Sequence, residues 1–214
     1  MGTVETLALA MGTAWTSGIN LYATVAVLGL AHHAGMIDLP PELQETVANP
    51  FVIGIASIMY LVEFFADKIP YVDNAWDSIH TFIRVPAGAL LAAGAVADTT
   101  PVLELAALLG GGTVALASHG TKATARLAVN TSPEPFSNWI ASIGEDLAVI
   151  GGIWVSFQYP WVMLTFLILF LLFAAWLIPK LFRLAKRGFQ ALRSWLRGDR
   201  QRNAPLEAPT SPTL

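Results

Sequence analysis

The chain contains no cysteine, which excludes disulfides, thiolate metal centres and cysteine nucleophiles. Charge is also scarce: 13% of the 214 residues are Asp, Glu, Lys or Arg, while 55% are hydrophobic. A soluble domain carries about 25% charged residues, so this composition points to a membrane protein. No nucleotide-binding glycine loop or nucleophile elbow occurs. The sequence therefore gives no reason to expect an enzyme, a cofactor or a nucleic-acid partner.

Basic residues are missing from most of the chain. Before Pro179 there are only Lys68, Arg84, Lys122 and Arg126, whereas eight lie between Lys180 and Arg202. Met1 to Thr6 carries an acid and no base, so no signal peptide is expected and the first helix should stay as an anchor. Six apolar stretches are legible, near residues 7–32, 51–67, 83–98, 102–118, 138–157 and 161–179. Prolines punctuate the breaks at Pro40-Pro41, Pro70, Pro101, Pro133, Pro135 and Pro160. The fold class expected is all-α and polytopic, with about six transmembrane helices. An even number puts both termini on one side. The basic tail makes that side cytoplasmic, and the outer loops near 33–50, 99–101 and 158–160 hold no Lys or Arg. The expected home is the bacterial inner membrane.

The transmembrane domain is expected over 1–179. Beyond it, Leu181, Leu184, Phe189, Leu192, Trp195 and Leu196 fall near one face of a helix with basic residues largely opposite. Residues 180–202 thus read as a basic amphipathic surface helix, with membrane lipids as its partner. Residues 203–214 read as a disordered tail.

An internal duplication is visible. Pro50-Phe51-x-x-x-Ile55-Ala56-Ser57-Ile58 recurs as Pro135-Phe136-x-x-x-Ile140-Ala141-Ser142-Ile143, while Gly12-Thr13 and Ala23-Thr24 recur as Gly112-Thr113 and Ala123-Thr124. Halves at about 7–99 and 102–179 would each hold three spans. An odd number forces the second copy upside down, giving a 3+3 inverted repeat of the kind secondary transporters use.

Three carboxylates lie within apolar spans. Glu145 and Asp146 sit about 12 Å from the inner end of their span, and Glu63, thirteen residues from its outer end at Pro50, is left about 10 Å from the inner surface by helical rise. Buried carboxylates are costly unless paired, hydrated or protonated, so they mark a pathway, a binding site or a structural pair. Asp73, Asp77, His80 and Arg84 share one helical face, as do His119, Lys122, Arg126 and Asn130. These faces would make a charged cytoplasmic vestibule, or solvated surfaces crossed by salt bridges; Asp73 could also serve as a helix cap. Asn20 sits mid-span beside Ser17 and Gly18, and Gly110-Gly111-Gly112 lies mid-span in the fourth stretch. Either these are matched helix breaks lining an ion site, or the glycines serve close packing. His32-His33 is adjacent in sequence, so the two rings diverge on a helix and make a poor metal pair.

Several segments carry a family resemblance: Ser17-Gly18-Ile19-Asn20-Leu21-Tyr22-Ala23, Val62-Glu63-Phe64-Phe65-Ala66-Asp67-Lys68-Ile69-Pro70, His80-Thr81-Phe82-Ile83-Arg84-x-Pro86-Ala87-Gly88, and Asn130-Thr131-Ser132-Pro133-Glu134-Pro135-Phe136-Ser137-Asn138-Trp139. Over roughly residues 7–160 the chain resembles the bacterial membrane family catalogued as domain of unknown function 4126. The resemblance implies a polytopic membrane protein and no particular activity. Glu63-x-x-x-Asp67-Lys68 is also similar to the Glu-x-Gly-Asp-Lys motif of small cation exchangers built from inverted three-helix repeats, with spacing differing by one residue and the glycine absent.

The expectation drawn from these residues is a small secondary transporter or permease for a cation or proton-coupled solute. Glu63, Asp67, Glu145, Asp146 and Asn20 would form its ion, proton or substrate site, and a homo-oligomer is compatible with it. The alternatives are a protein that holds a phosphorylated lipid headgroup or polyprenyl phosphate at the cytoplasmic leaflet through Arg84, Lys122, Arg126 and the basic tail, and a membrane scaffold that transports nothing.

Overall fold

The computed structural model describes residues 2–69, 72–129 and 135–202, and is all-helical over them. Asn130, the Ser132–Pro133 turn and the tail 203–214 lie outside the described residues. The elements are α1 (Thr3–His33), α2 (Pro41–Val47), α3 (Pro50–Ala66), α4 (Val72–Ala95), α5 (Pro101–Val129), α6 (Pro135–Gln158) and α7 (Pro160–Arg202).

Proline starts five of the seven helices, where its missing N–H costs nothing and its fixed φ suits the first turn. Asn49 caps α3 by accepting a 2.9 Å hydrogen bond from the Phe51 amide. After α1, Gly35 adopts φ 66°. The Met36 and Gly35 amides then return to the Ala31 and His32 carbonyls, a glycine-dependent stop that a Cβ would strain. The seven-residue α2 has no counterpart among the expected spans, although Pro40-Pro41-Glu42 marks its start.

Four helices are long and apolar enough to cross a membrane: α1, α5, α6 and the first part of α7, with α2 and α3 forming a fifth candidate bent by 61°. The outward surface is strongly apolar: Phe51, Ile58, Phe65, Phe82, Leu109, Phe136, Leu147 and Leu172 are all exposed. Such a surface suits lipid rather than water. The chain is a polytopic helical membrane protein.

Residues 1–175 form one compact unit around α1, whose residues 8–10 and 12–21 are buried without interruption. The packing relies on small residues. A Cβ on Gly111 would meet the Ala92 side chain, one on Gly88 the side chains of Ser17 and Ala115, and one on Gly18 the Ser118 side chain and the Ala115 carbonyl. These are the close helix approaches that small residues permit in membranes. Of the glycine triplet, Gly111 makes such a close approach, and of the two alternatives for the triplet the helix break is not found: α5 runs through it as one helix. α1 does break, at Asn20, which adopts φ −147°, ψ 101° inside the helix.

The second unit covers residues 176–214. Its described backbone belongs to α7, which stays helical through Pro179 to Arg202. The expected boundary at that proline therefore falls inside a single helix. Within this unit Lys180 lies over the Trp176 ring at 3.5 Å.

Candidate functional site: a buried network of charges

Each helix delivers its polar residues at helical spacing. On α4, Asp73, Asp77, His80 and Arg84 occupy one face, and all four are buried. On α5, His119, Lys122 and Arg126 do the same. From α3 come Glu63 and, just past its last turn, Asp67; α6 contributes Glu145. Asp73 lies in the first turn of α4 rather than at its cap, where the helix dipole favours a negative charge.

These side chains meet. The Arg84 guanidinium donates to Glu63 Oε1 at 2.7 Å and to Asp77 Oδ1 at 2.8 Å. Lys122 is the hub, its Nζ lying 3.2 Å from Glu63 Oε1, 3.3 Å from Glu145 Oε2, and 3.7 Å from both Asp67 Oδ2 and Asp77 Oδ1. Arg126 holds Glu145 by two parallel 2.8 Å bonds, from Nε to Oε1 and from Nη2 to Oε2, and reaches Asp67 Oδ2 at 3.0 Å and Asp73 Oδ2 at 4.0 Å. The two-pronged contact is the strong form of an arginine–carboxylate pair.

The expected meeting of Glu63 with Glu145 thus occurs through the Lys122 ammonium, which contacts both. The described charged side chains expected to line a vestibule are paired with one another and buried, with Glu145 partly exposed. Arg84 is 0% and Arg126 1% exposed, because a charge removed from water is tolerable only when paired at close range. Two cavities, of about 350 and 330 Å³, lie elsewhere: one between residues 3–11 and 96–107, the other between residues 27–37 and 150–154. Both are lined mainly by apolar side chains.

Two expected site residues stand apart. Asp146 accepts a 3.0 Å hydrogen bond from the Tyr60 hydroxyl. The amide oxygen of Asn20 is engaged as a cap, accepting from the Ala23 amide at 2.9 Å, while its carbonyl accepts from Thr24 Oγ1 at 2.8 Å. That is N-cap geometry for the helix restarting at Leu21, so Asn20 shapes the site rather than offering a ligand oxygen. His32 and His33 contact the carbonyls of Ile37 and Ala48. Among the described residues no group of three His, Asp or Glu side chains could hold a metal ion.

The histidines of the network are tied by direction. Arg84 Nη1 has only hydrogens to give, so His119 Nδ1 accepts at 3.2 Å; the opposite ring nitrogen then donates to Thr81 Oγ1 at 2.7 Å. His119 is a neutral ring here. His80 stacks on Trp76 with centroids 4.2 Å apart, donates from Nδ1 to the Trp76 carbonyl, and meets the Tyr22 hydroxyl at Nε2 at 3.0 Å. Tyr22, Tyr60, Thr81 and Asn138 were missed in the sequence. Asn138 had a signal, since with Ser142 and Glu145 it lies at i, i+4 and i+7 on α6.

Several buried polar atoms have no hydrogen-bond partner among the described residues: Glu63 Oε2, Asp67 Oδ1, Asp77 Oδ2, Arg84 Nε, and both side-chain atoms of Asn138. Within the network itself, three cations (Arg84, Lys122, Arg126) face five carboxylates (Glu63, Asp67, Asp73, Asp77, Glu145) among the described side chains. Leaving aside Asp73, which has further interactions of its own, four carboxylates (Glu63, Asp67, Asp77, Glu145) outnumber the three cations by one among the described side chains.

Fold and site together define a polytopic helical membrane protein with an acid-rich charge network closed inside its bundle. The chain belongs to the family described as domain of unknown function (DUF4126), whose model matches residues 7–180. No curated protein and no solved structure matches it.

Proposed function

We propose that this protein is a small secondary carrier that couples movement of a solute to protons exchanged at Glu63, Asp67, Asp77 and Glu145. One observation carries the reading: four carboxylates, Glu63, Asp67 and Asp77 buried and Glu145 partly so, share three buried cations. In a low-dielectric interior an uncompensated charge costs several kcal/mol, so a proton held by one of these four carboxylates would offset the excess among the described side chains, and it is then exchangeable. Protons fit better than a metal ion, because Lys122 and Arg126 already occupy the centre between the carboxylates. The unpartnered carboxylate oxygens are ready acceptors.

The charged end is taken as cytoplasmic, in the inner membrane, since Lys68, Arg84, Lys122, Arg126 and the basic segment 180–202 call for that side. An inverted relation is proposed for α3–α4 against α6–α7. Phe51 and Phe136, Ile55 and Ile140, and Ile58 and Ile143 are exposed in matched pairs, and each helix begins at a proline.

The tightness of the pairing favours a second reading, a scaffold whose charges only lock the helices together. A phosphate-holding role is less supported, because Arg84, Lys122 and Arg126 all have carboxylate partners. Vesicles of the purified protein with a trapped pH-sensitive dye separate carrier from scaffold. Challenged in turn with a monovalent cation, a neutral osmolyte and a monocarboxylate, wild-type vesicles should show a change of internal pH with at least one. Glu63→Gln vesicles should not. If none moves protons, the carrier is excluded and the scaffold stands.

A further inference from the structure

We infer that α1 is re-entrant: it enters the membrane from the face bearing the α4–α5 and α6–α7 connections, turns at Asn20 beside the charge network, and returns to that same face. Its tip, residues 17–22, forms the outer wall of the site.

The first limb, 3–19, is fixed by its neighbours. Thr3, Thr6, Leu7 and Met11 line a cavity with Val96, Thr99 and Leu103, at the α4–α5 connection. Further along, Met11 faces Gly110, Ala14 faces Gly111, and Gly18 faces Ala115 and Ser118, so this limb runs in step with α5 and in the same direction. Gly12 faces Ser156, and Thr16 faces Gly152, so α6 runs against it. Both series lead from the α4–α5 and α6–α7 connections toward the charges, where Tyr22 meets His80.

A straight continuation would carry His33 about 16 Å beyond Tyr22, past the network, at 1.5 Å per residue. The contacts of the second limb, 21–33, point the other way. Gly29 lies against the Val47 carbonyl and Ile53, and Ile53 is ten residues, about 15 Å of helix, back from Glu63 along α3. His33 reaches the Ala48 carbonyl at 2.7 Å. Leu43, on the following α2, packs on Gly94 near the far end of α4, two residues before Val96, which the N-terminal limb also touches. Both ends of α1 therefore lie at one end of the bundle. The extended backbone of Asn20 makes the turn, and its side chain caps the restarted helix.

The charge pattern agrees, because residues 1–67 contain no Lys or Arg and nothing holds the N-terminal end on the basic side. The crossings are then α3, α4, α5, α6 and α7. This replaces the expected inward-facing N-terminus with an outward one. The topology stands on its own, whereas the tip's role as a wall of the binding site rests on the proposed function.

The absence of native cysteine makes the test clean. Single substitutions Thr3→Cys, Asp38→Cys and Ile69→Cys, all at exposed positions, are treated in intact cells with an impermeant thiol reagent, before and after permeabilisation. Thr3→Cys should label from outside to the same extent as Asp38→Cys, with Ile69→Cys labelled only after permeabilisation. If Thr3→Cys behaves like Ile69→Cys while Asp38→Cys labels from outside, α1 crosses and the inference fails. Neither outcome depends on whether the protein transports anything.

Discussion

The two ends of the bundle are built on opposite principles. Away from the charges, around Gly12, Ala14, Gly88, Ala92 and Gly111, helices approach closely through glycines and small side chains and hold no charge to be balanced. At the other end the same helices carry Arg84, Lys122 and Arg126 among five carboxylates, with buried polar atoms left over. Small-residue packing is sufficient to associate helices in lipid, so the charged end is not needed to hold the bundle together. A region that keeps costly groups without a packing need is where function is to be sought.

Substitutions can break that contrast, and the largest effect is expected at the charged end. Arg126→Ala leaves the buried Asp67 and the partly buried Glu145 without their guanidinium, which should cost about 3–5 kcal/mol. Thermal unfolding in detergent would read this, and a loss below about 1 kcal/mol would show that the pairs are solvated surface contacts. At the uncharged end, Gly111→Leu must displace Ala92 or shift the Gly88 backbone. A stability loss of about 1–3 kcal/mol is expected from such overpacking. Solute-triggered proton movement measured at matched protein levels should survive it.

Glu63→Gln sharpens the comparison because it separates stability from function. The amide keeps an oxygen for Arg84 and removes one excess negative charge, so unfolding should change by less than in Arg126→Ala, within about 1–3 kcal/mol for a hydrogen bond that loses its charge. Proton movement should nonetheless be lost. The smallest effect belongs to Tyr60→Phe, which removes one half-exposed hydrogen bond to Asp146. About 0.5–1.5 kcal/mol is expected in the same unfolding assay, and a loss as large as that of Arg126→Ala would place Asp146 inside the network.

Much of this was legible in the sequence, for identifiable reasons. Proline marked the starts of α3, α5, α6 and α7, and apolar runs gave the lengths of α3 and α6, whereas α5 and α7 run on past theirs to Val129 and Arg202. The first turns of α4 and the last turns of α5 were hidden from hydropathy because their charged faces read as loops. The i, i+4, i+7 and i+11 spacing of Asp73, Asp77, His80 and Arg84 still showed them to be helical. The two limbs of α1 are equally apolar, so no pattern distinguishes a return from a crossing. Asn20 marked the break, but its direction depends on what Gly18 and Gly29 pack against. The closing of the vestibule was illegible for a similar reason, since spacing shows which residues share a face and not which faces meet.

The central claim is that the network needs positive charge that its own side chains do not supply. Infrared spectra of the purified protein at neutral pH, free of added small cations, test it most directly. The account predicts a protonated-carboxyl band that shifts on exchange into heavy water and weakens in Glu63→Gln. Fully ionised carboxylates, identical in wild type and Glu63→Gln apart from the one group removed, would contradict it.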